Sequence, residues 1–179
     1  TRNRTLFPYT TLFRSGKTSA AIGLAVRAAG CGKRVVIARF LKTDNSGEVE
    51  ILKKLPEVTL IPCRKTFGFV RSMDEETKRE CAAYHRELFG EAVKLAKHAD
   101  LVVFDEIMAA VNYGMVPEHD VLEFLENRPG RDQTDGLEIV LTGRDPSEKL
   151  IAAADYVSEI CKRKHPFDRG IMARRGVEY

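Results

Sequence analysis

The fold of this chain is decided by the stretch that begins with Gly16-Lys17-Thr18-Ser19 and runs through small and apolar residues to Gly30. A Gly-Lys-Thr run at the start of a helix is the second half of a phosphate-binding loop. Backbone N–H groups at the start of such a helix point at phosphate oxygens, the lysine adds a positive charge, and the threonine hydroxyl can ligate Mg²⁺. Alanine, leucine and isoleucine then recur at three- and four-residue steps, which predicts a helix that ends near Gly30.

The first half of this phosphate-binding loop is missing. A complete loop carries a glycine five residues before Gly16, where this sequence has Thr11. Leu12-Phe13-Arg14-Ser15 occupies the stretch in which small residues let the backbone approach phosphate. The stretch Leu6–Ser15 matches, codon by codon, CTC TTT CCC TAC ACG ACG CTC TTC CGA TCT, which is similar to a common sequencing-library adapter. We therefore interpret residues 1–15 as a segment of cloning or assembly origin that replaces the first strand and the loop glycines. Residues 16–179 form the domain.

Composition limits the classes of protein to consider. The length of 179 residues fits one domain, and the 44% hydrophobic and 31% charged fractions are ordinary for a globular protein. A net charge of +3 is too small to indicate nucleic-acid binding. The four cysteines show no metal-binding spacing, and no apolar run approaches the ~20 residues of a membrane span. We expect a cytoplasmic, single-domain protein that binds neither nucleic acid nor membranes.

Apolar, β-branched runs alternate with helical segments along the chain. The runs are Arg34–Leu41, Val58–Pro62, Leu101–Glu106, Glu138–Arg144 and Tyr156–Ile160. Strands that alternate with helices at this spacing predict an α/β fold with a doubly wound, mainly parallel sheet. Ser72 and Glu75 have the spacing of a capping box, which predicts that a long helix begins there.

Two of these strands end in residues suited to a nucleotide site. Asp105-Glu106 follows an apolar strand, as expected of the acidic partner that holds Mg²⁺ beside a phosphate-binding loop, although a carboxylate can also simply cap a strand end. Arg144 follows the next strand, where an arginine can reach phosphate or remain a solvated loop cation. Helical periodicity alone makes Arg27 a surface cation. Phe67 and Phe69 flank a glycine and form either part of the core or a flat apolar wall for a planar ligand.

Several strings together resemble the corrinoid adenosyltransferases of the P-loop type, which act on cob(I)alamin and cob(I)yrinate a,c-diamide. The strings are Gly16–Gly30, Phe40-Leu41-Lys42, Gly68-Phe69, Asp105-Glu106-Ile107, Arg128-Pro129, Leu141-Thr142-Gly143-Arg144, Ala154–Glu159, Lys164-His165-Pro166-Phe167 and Gly176-Val177-Glu178-Tyr179. The resemblance extends from Gly16 to Tyr179, and the order and spacing of the strings are more specific than any one of them. It implies a single-domain P-loop NTPase fold of the RecA-like kind.

The resemblance also implies a reaction. The 5′-deoxyadenosyl group of ATP would pass to the Co(I) of a corrinoid, tripolyphosphate would leave, and cobalt itself would be the nucleophile, so that no catalytic side chain is needed. The family further implies Mg²⁺ or Mn²⁺, a flavoprotein reductant and a homodimer. The implied site residues are, for ATP, Gly16, Lys17, Thr18, Ser19, Arg27 and Arg144; for metal, Thr18, Asp105 and Glu106; and for the corrinoid, Phe67, Gly68, Phe69 and Arg71.

The chain departs from the family pattern in two places. The leading loop glycines are missing, which puts ATP binding by the chain as written in doubt. The family commonly carries Gly-Phe-Thr-Trp, credited with clearing the lower ligand of the corrinoid. Here Phe69 matches the phenylalanine, but Arg71 stands in place of the tryptophan, which makes Phe67 a candidate substitute. The alternatives are another P-loop ATPase or kinase, which would cleave the β–γ bond, and a nucleotide-binding or damaged remnant that folds but does not turn over.

Overall fold

A computed structural model describes residues 16–130, 136–161 and 163–177 of the chain and, by its backbone alone, residues 5–9. A six-stranded sheet forms the centre of the described part. Its strands are β1 (Thr5–Tyr9), β2 (Val35–Arg39), β3 (Val58–Leu60), β4 (Leu101–Asp105), β5 (Glu138–Leu141) and β6 (Tyr156–Glu159). The spatial order is β3-β2-β4-β5-β1-β6, and every neighbouring pair is parallel. This arrangement confirms the predicted parallel α/β sheet.

Helices connect the strands. They are α1 (Lys17–Gly30), α2 (Gly47–Leu52), α3 (Glu75–Ala96), α4 (Ile107–Asn112), α5 (Glu118–Glu126) and α6 (Glu148–Ala153), with short 3₁₀ turns at Val70–Ser72 and Pro166–Arg169. None of the helices within the described ranges is long and apolar enough to cross a bilayer. Because parallel strands need long crossovers, each helix packs back onto a face of the sheet.

The core consists of two clusters of buried side chains, one on each face of the sheet. Ala21 and Ala25 of α1 pack with Val35 and Ile37 of β2 on one face. The residues of β2 that alternate with them, Val36 and Ala38, pack with Cys81, Leu88 and Ala92 of α3 on the other face. The alternation follows the two-residue period of a strand that is buried on both faces, and it confirms that the sheet is doubly wound.

The N-cap of the long helix α3 lies two residues later than the predicted capping residue, Ser72. Asp74 is the N-cap, and its carboxylate accepts a hydrogen bond from the N–H of Thr77 at 2.7 Å, which lowers the pKa of Asp74. Ser72 instead donates its hydroxyl to the carbonyl of Phe69 at 2.9 Å, so the predicted pairing of Ser72 with Glu75 is wrong. Aspartate and serine are about equally good N-caps, and the intervening 3₁₀ turn decided between them. The hydroxyl of Ser72 therefore stabilises the loop of residues 65–69 before α3, which carries Phe67 and Phe69 and is called the aromatic loop below.

Candidate functional site

A cluster of polar side chains lies where the carboxyl ends of β2, β4 and β5 meet the first turn of α1. Asp105, which is completely buried, is at its centre. One carboxylate oxygen accepts hydrogen bonds from the hydroxyls of Thr18 at 3.1 Å and Thr142 at 2.6 Å. The other accepts a hydrogen bond from Nζ of Lys42 at 2.5 Å, and the same ammonium donates to the hydroxyl of Thr18 at 2.7 Å. The predicted loop threonine and the predicted strand-end aspartate are thus in direct contact.

The second strand-end carboxylate faces a different partner. Oε1 of Glu106 lies 3.6 Å from Nζ of Lys17, whose side chain is almost wholly buried. Burial is the main cause that lowers the pKa of Lys17; the charges of Arg144 and Lys42 act in the same direction, and Glu106 opposes them. The site therefore places two further cations, Arg144 and Lys42, near the buried ammonium of Lys17, and this concentration of positive charge favours a polyanionic ligand.

The backbone is constrained at this edge of the sheet. Among the described residues, the non-glycine positions with left-handed φ angles are Leu41 (52°), Glu106 (61°) and Asp145 (50°), and each follows one of the strands that meet at the site. Strained conformations of this kind are concentrated at functional sites. Gly143 has φ 151°, and a Cβ at that position would lie 2.3 Å from Cβ of Met108, so only glycine fits between Thr142 and Arg144.

The aromatic loop divides its two phenylalanines between the core and solvent. The ring of Phe67 packs 5.7 Å from that of Tyr84 and 6.4 Å from that of His85. Phe69, on the other side of the left-handed Gly68, is 87% exposed. Phe67 thus packs within the loop, and Phe69 presents a free apolar surface; the assignment of both rings to a corrinoid stays a prediction.

Two large cavities adjoin the polar cluster. One, of about 810 Å³, follows α1 and is lined by Thr18, Ser19 and Ile51, among others. The other, of about 670 Å³, lies between the aromatic loop and α4 and is lined in part by Phe69, Arg71, Glu106 and Arg144. Lys42 lines both cavities. Two ligands could therefore bind side by side, with the polar cluster between them.

Arg27 is the predicted site residue that lies apart from the others. It is exposed in the last turn of α1. Nine residues separate it from Thr18, and at 1.5 Å per residue that is about 13 Å along the helix. Its assignment to the ATP site stays a prediction.

Sequence analysis missed two residues next to the site. Lys42 had a signal, since it stands in a polar loop at the carboxyl end of a strand, but that position alone assigns no contact. His85 had none. It is buried in α3, its Nδ1 has no hydrogen-bond partner among the described residues, and burial lowers its pKa to about 4. The centre of the neutral ring lies 5.8 Å from that of Phe40 and 6.4 Å from that of Phe67, so His85 packs against both rings.

Comparisons with known proteins agree on one family. Residues 13–179 match the family described as "ATP:corrinoid adenosyltransferase BtuR/CobO/CobP". The chain is 34% identical to a protein named corrinoid adenosyltransferase from Escherichia coli K12, over 92% of this chain and 80% of that protein. It is 34% identical to a protein named corrinoid adenosyltransferase CobA from Salmonella typhimurium, over 92% of this chain and 80% of that protein. It is 30% identical to one from Pseudomonas aeruginosa, over 92% of this chain and 78% of that protein.

Proposed function

This chain belongs to the ATP:corrinoid adenosyltransferase family, and on that premise we propose that it transfers the 5′-deoxyadenosyl group of ATP to the Co(I) of a corrinoid and releases tripolyphosphate. The observation that carries the proposal is the contact between Thr18 and Asp105, 3.1 Å apart at the start of α1. A hydroxyl and a buried carboxylate in this arrangement suit a metal-bound triphosphate. The neighbouring cavity, with the exposed Phe69 on its wall, suits a large planar ligand.

In this reaction the chain binds and orients the triphosphate. Lys17, Lys42 and Arg144 surround the position that the leaving group would take, and the first turn of α1 adds its N–H groups. Cobalt supplies the electron pair that bonds to C5′, and the pair of the broken C5′–O bond leaves with tripolyphosphate. Charge therefore develops on the phosphate oxygens, where preorganised cations stabilise it most. No side chain needs to act as nucleophile or base.

The residues present also fit the magnesium ion that the family implies. Mg²⁺ prefers oxygen ligands and is usually held by one or two carboxylates together with substrate phosphates. Within the described ranges no group of three or more acidic, histidine or cysteine side chains could hold a metal ion. We propose that Thr18 and Asp105 hold Mg²⁺, where it would neutralise charge on the leaving group. Glu106, which faces Lys17, is the weaker candidate.

Further partners follow from the resemblance to the family. We propose that a flavoprotein reduces the corrinoid cobalt, that the chain works as a homodimer, and that it does so in the cytoplasm. Sedimentation equilibrium of the purified chain measures the assembly state directly: a mass of one protomer at micromolar concentration contradicts the dimer.

The test of the reaction is the identity of both products. Chemically reduced cob(I)alamin and Mg-ATP are incubated anaerobically with the chain, adenosylcobalamin is followed by absorbance, and phosphate species are separated by chromatography. We expect adenosylcobalamin and intact tripolyphosphate in equal amounts. ADP and phosphate without a cobalt–carbon bond would instead indicate an ATPase or kinase. If Mg-ATP also fails to raise the unfolding temperature, the chain is a remnant that does not bind nucleotide.

Replacement of the exposed aromatic residue should affect reduction of the corrinoid more than transfer. We expect Phe69→Ala to lower adenosylation from Co(II) plus reductant by at least about tenfold, because Phe69 matches the phenylalanine that, in the family, is credited with clearing the lower ligand of the corrinoid so that cobalt can be reduced. Transfer from preformed Co(I) should change less. The readout is the initial rate of adenosylcobalamin formation from each starting state.

A matched control for this prediction is Phe167→Ala. Phe167 is 59% exposed and lines neither of the two cavities. We expect its removal to leave both rates within about twofold. Equal rates for the Phe69→Ala variant and the unaltered chain from Co(II) would remove Phe69 from the mechanism.

A further inference from the structure

The ammonium of Lys42 lies between the two oxygens that we assign to the metal. Its Nζ is 2.7 Å from the hydroxyl of Thr18 and 2.5 Å from Oδ2 of Asp105. Asp105 is fully buried, and the side chain of Lys42 is only 26% exposed. A buried carboxylate needs a compensating charge, and Lys42 provides it.

The loop that carries Lys42 is held firmly in place. Leu41, the preceding residue, adopts φ 52°, which turns the chain sharply at the end of β2. The buried Arg39 forms an ion pair with Asp44 and donates a hydrogen bond to the carbonyl of Thr43 at 2.9 Å. Asp44 in turn accepts the N–H of Cys63 at 3.2 Å. Because the residues on both sides of Lys42 are held, its backbone stays where the ammonium can reach Asp105.

We propose that the Lys42 ammonium occupies the divalent-metal position of the nucleotide-free chain, so that Mg²⁺ binds there only together with a triphosphate that draws the ammonium away. This inference rests on the proposed function. A divalent ion within bonding distance of the same two oxygens would lie within a few ångströms of a positive charge, and like charges at that separation repel strongly in a partly buried site. Free metal therefore competes with Lys42 for Asp105.

The triphosphate changes the balance of charge. It brings several negative charges to a site where Lys17, Lys42 and Arg144 already lie close together. Lys42 lines both cavities, so its flexible side chain can exchange the carboxylate for a phosphate oxygen without leaving the site. The consequence is coupled binding: metal and triphosphate each raise the affinity of the site for the other.

The test measures metal binding without nucleotide. Mn²⁺ is titrated into the chain and into the Lys42→Met, Lys42→Arg and Lys97→Met variants, and free Mn²⁺ is read by electron paramagnetic resonance. We expect Lys42→Met to bind Mn²⁺ at least about tenfold more tightly than the unaltered chain, because the competing charge is gone. Lys42→Arg, which keeps the charge, should bind as weakly as the unaltered chain. Lys97→Met, an exposed lysine after α3, should have no effect.

The outcomes separate this inference from the proposed function. A gain in Mn²⁺ affinity of less than tenfold in Lys42→Met, or an equal gain in Lys97→Met, overturns the role of Lys42 whatever the enzyme assay gives. Circular dichroism on each variant shows that the fold is kept; if Lys42→Met unfolds, Lys42→Gln replaces it with the same expectation. Failure to form adenosylcobalamin, in contrast, contradicts the proposed function and leaves the Mn²⁺ result standing.

Discussion

A chain with Leu12→Gly and Arg14→Gly is expected to form adenosylcobalamin at least about a hundredfold faster than the chain as written. The two changes place Gly-Phe-Gly-Ser-Gly in front of Lys17, a Gly-x-Gly-x-Gly loop of the kind that the resemblance to the family implies, and they leave Thr11 unchanged. Glycine adopts positive φ freely and lets backbone N–H groups come close to phosphate. The loss of a single preorganised donor commonly lowers turnover by about two to three orders of magnitude, and a blocked loop loses several donors.

Two observations bear on the hypothesis that residues 1–15 are not native to their position, which stays a prediction. The match to the family begins at residue 13, so residues 1–12 lie outside it and residues 13–15 lie inside it. The strand β1 lies between β5 and β6 and contains Pro8, which has no N–H to donate to a neighbouring strand. Proline is otherwise confined to edge strands, strand starts and bulges. Residues 10–15, which carry the proposed glycine positions, lie outside the described residues.

The control for this prediction is the pair Leu12→Ala and Arg14→Ala. It removes the same bulk but not the restriction on φ. If the alanine pair is as fast as the glycine pair, steric bulk alone explains the slow chain. If neither pair exceeds the chain as written, the leading glycines are dispensable. Sequencing of the genomic locus tests the origin of the segment separately: uninterrupted coding of Leu6–Ser15 contradicts the adapter hypothesis.

Periodicity predicted the fold well because each element repeats one simple pattern. The continuous apolar run of β4 and the small residues of α1 indicated their structure and their burial without any tertiary information. The start of α3 was harder. Ser72 and Asp74 are about equally good caps on propensity, and the choice depends on a 3₁₀ turn that no local pattern indicates.

The sequence predicted several of the residues that meet at the site but not which of them contact one another. Sequence placed Asp105 and Glu106 together at a strand end, yet the left-handed φ of Glu106 turns it towards Lys17, while Asp105 contacts Thr18. That turn depends on the hydroxyl of Thr142, 36 residues away, which accepts the N–H of Glu106 at 2.9 Å. Contacts between distant strands of this kind follow from the strand order, which a single sequence does not specify.

The opposite orientations of the two carboxylates lead to the second large effect. In the chain with Leu12→Gly and Arg14→Gly, Asp105→Asn is expected to lower the rate of adenosylcobalamin formation by at least about a hundredfold, and Glu106→Gln by less than about tenfold. An amide at position 105 cannot supply a charged oxygen to a metal. Its NH₂ group would also face the hydroxyls and the ammonium that now donate hydrogen bonds to Asp105. Glu106 faces the buried Lys17 rather than Thr18, and the carbonyl oxygen of a glutamine at position 106 can still accept a hydrogen bond from that ammonium.

Rates measured across a range of Mg²⁺ concentrations distinguish a metal role from a structural one. If Asp105 holds the ion, the Asp105→Asn variant should need much more Mg²⁺ to reach half its maximal rate, and urea unfolding reports separately any loss of stability. Asp100→Asn is the matched control, since Asp100 precedes the same strand at its other end and pairs with Arg34. It should leave the rate within about twofold. A larger defect in Glu106→Gln than in Asp105→Asn would reverse the assignment and make Glu106 the metal carboxylate.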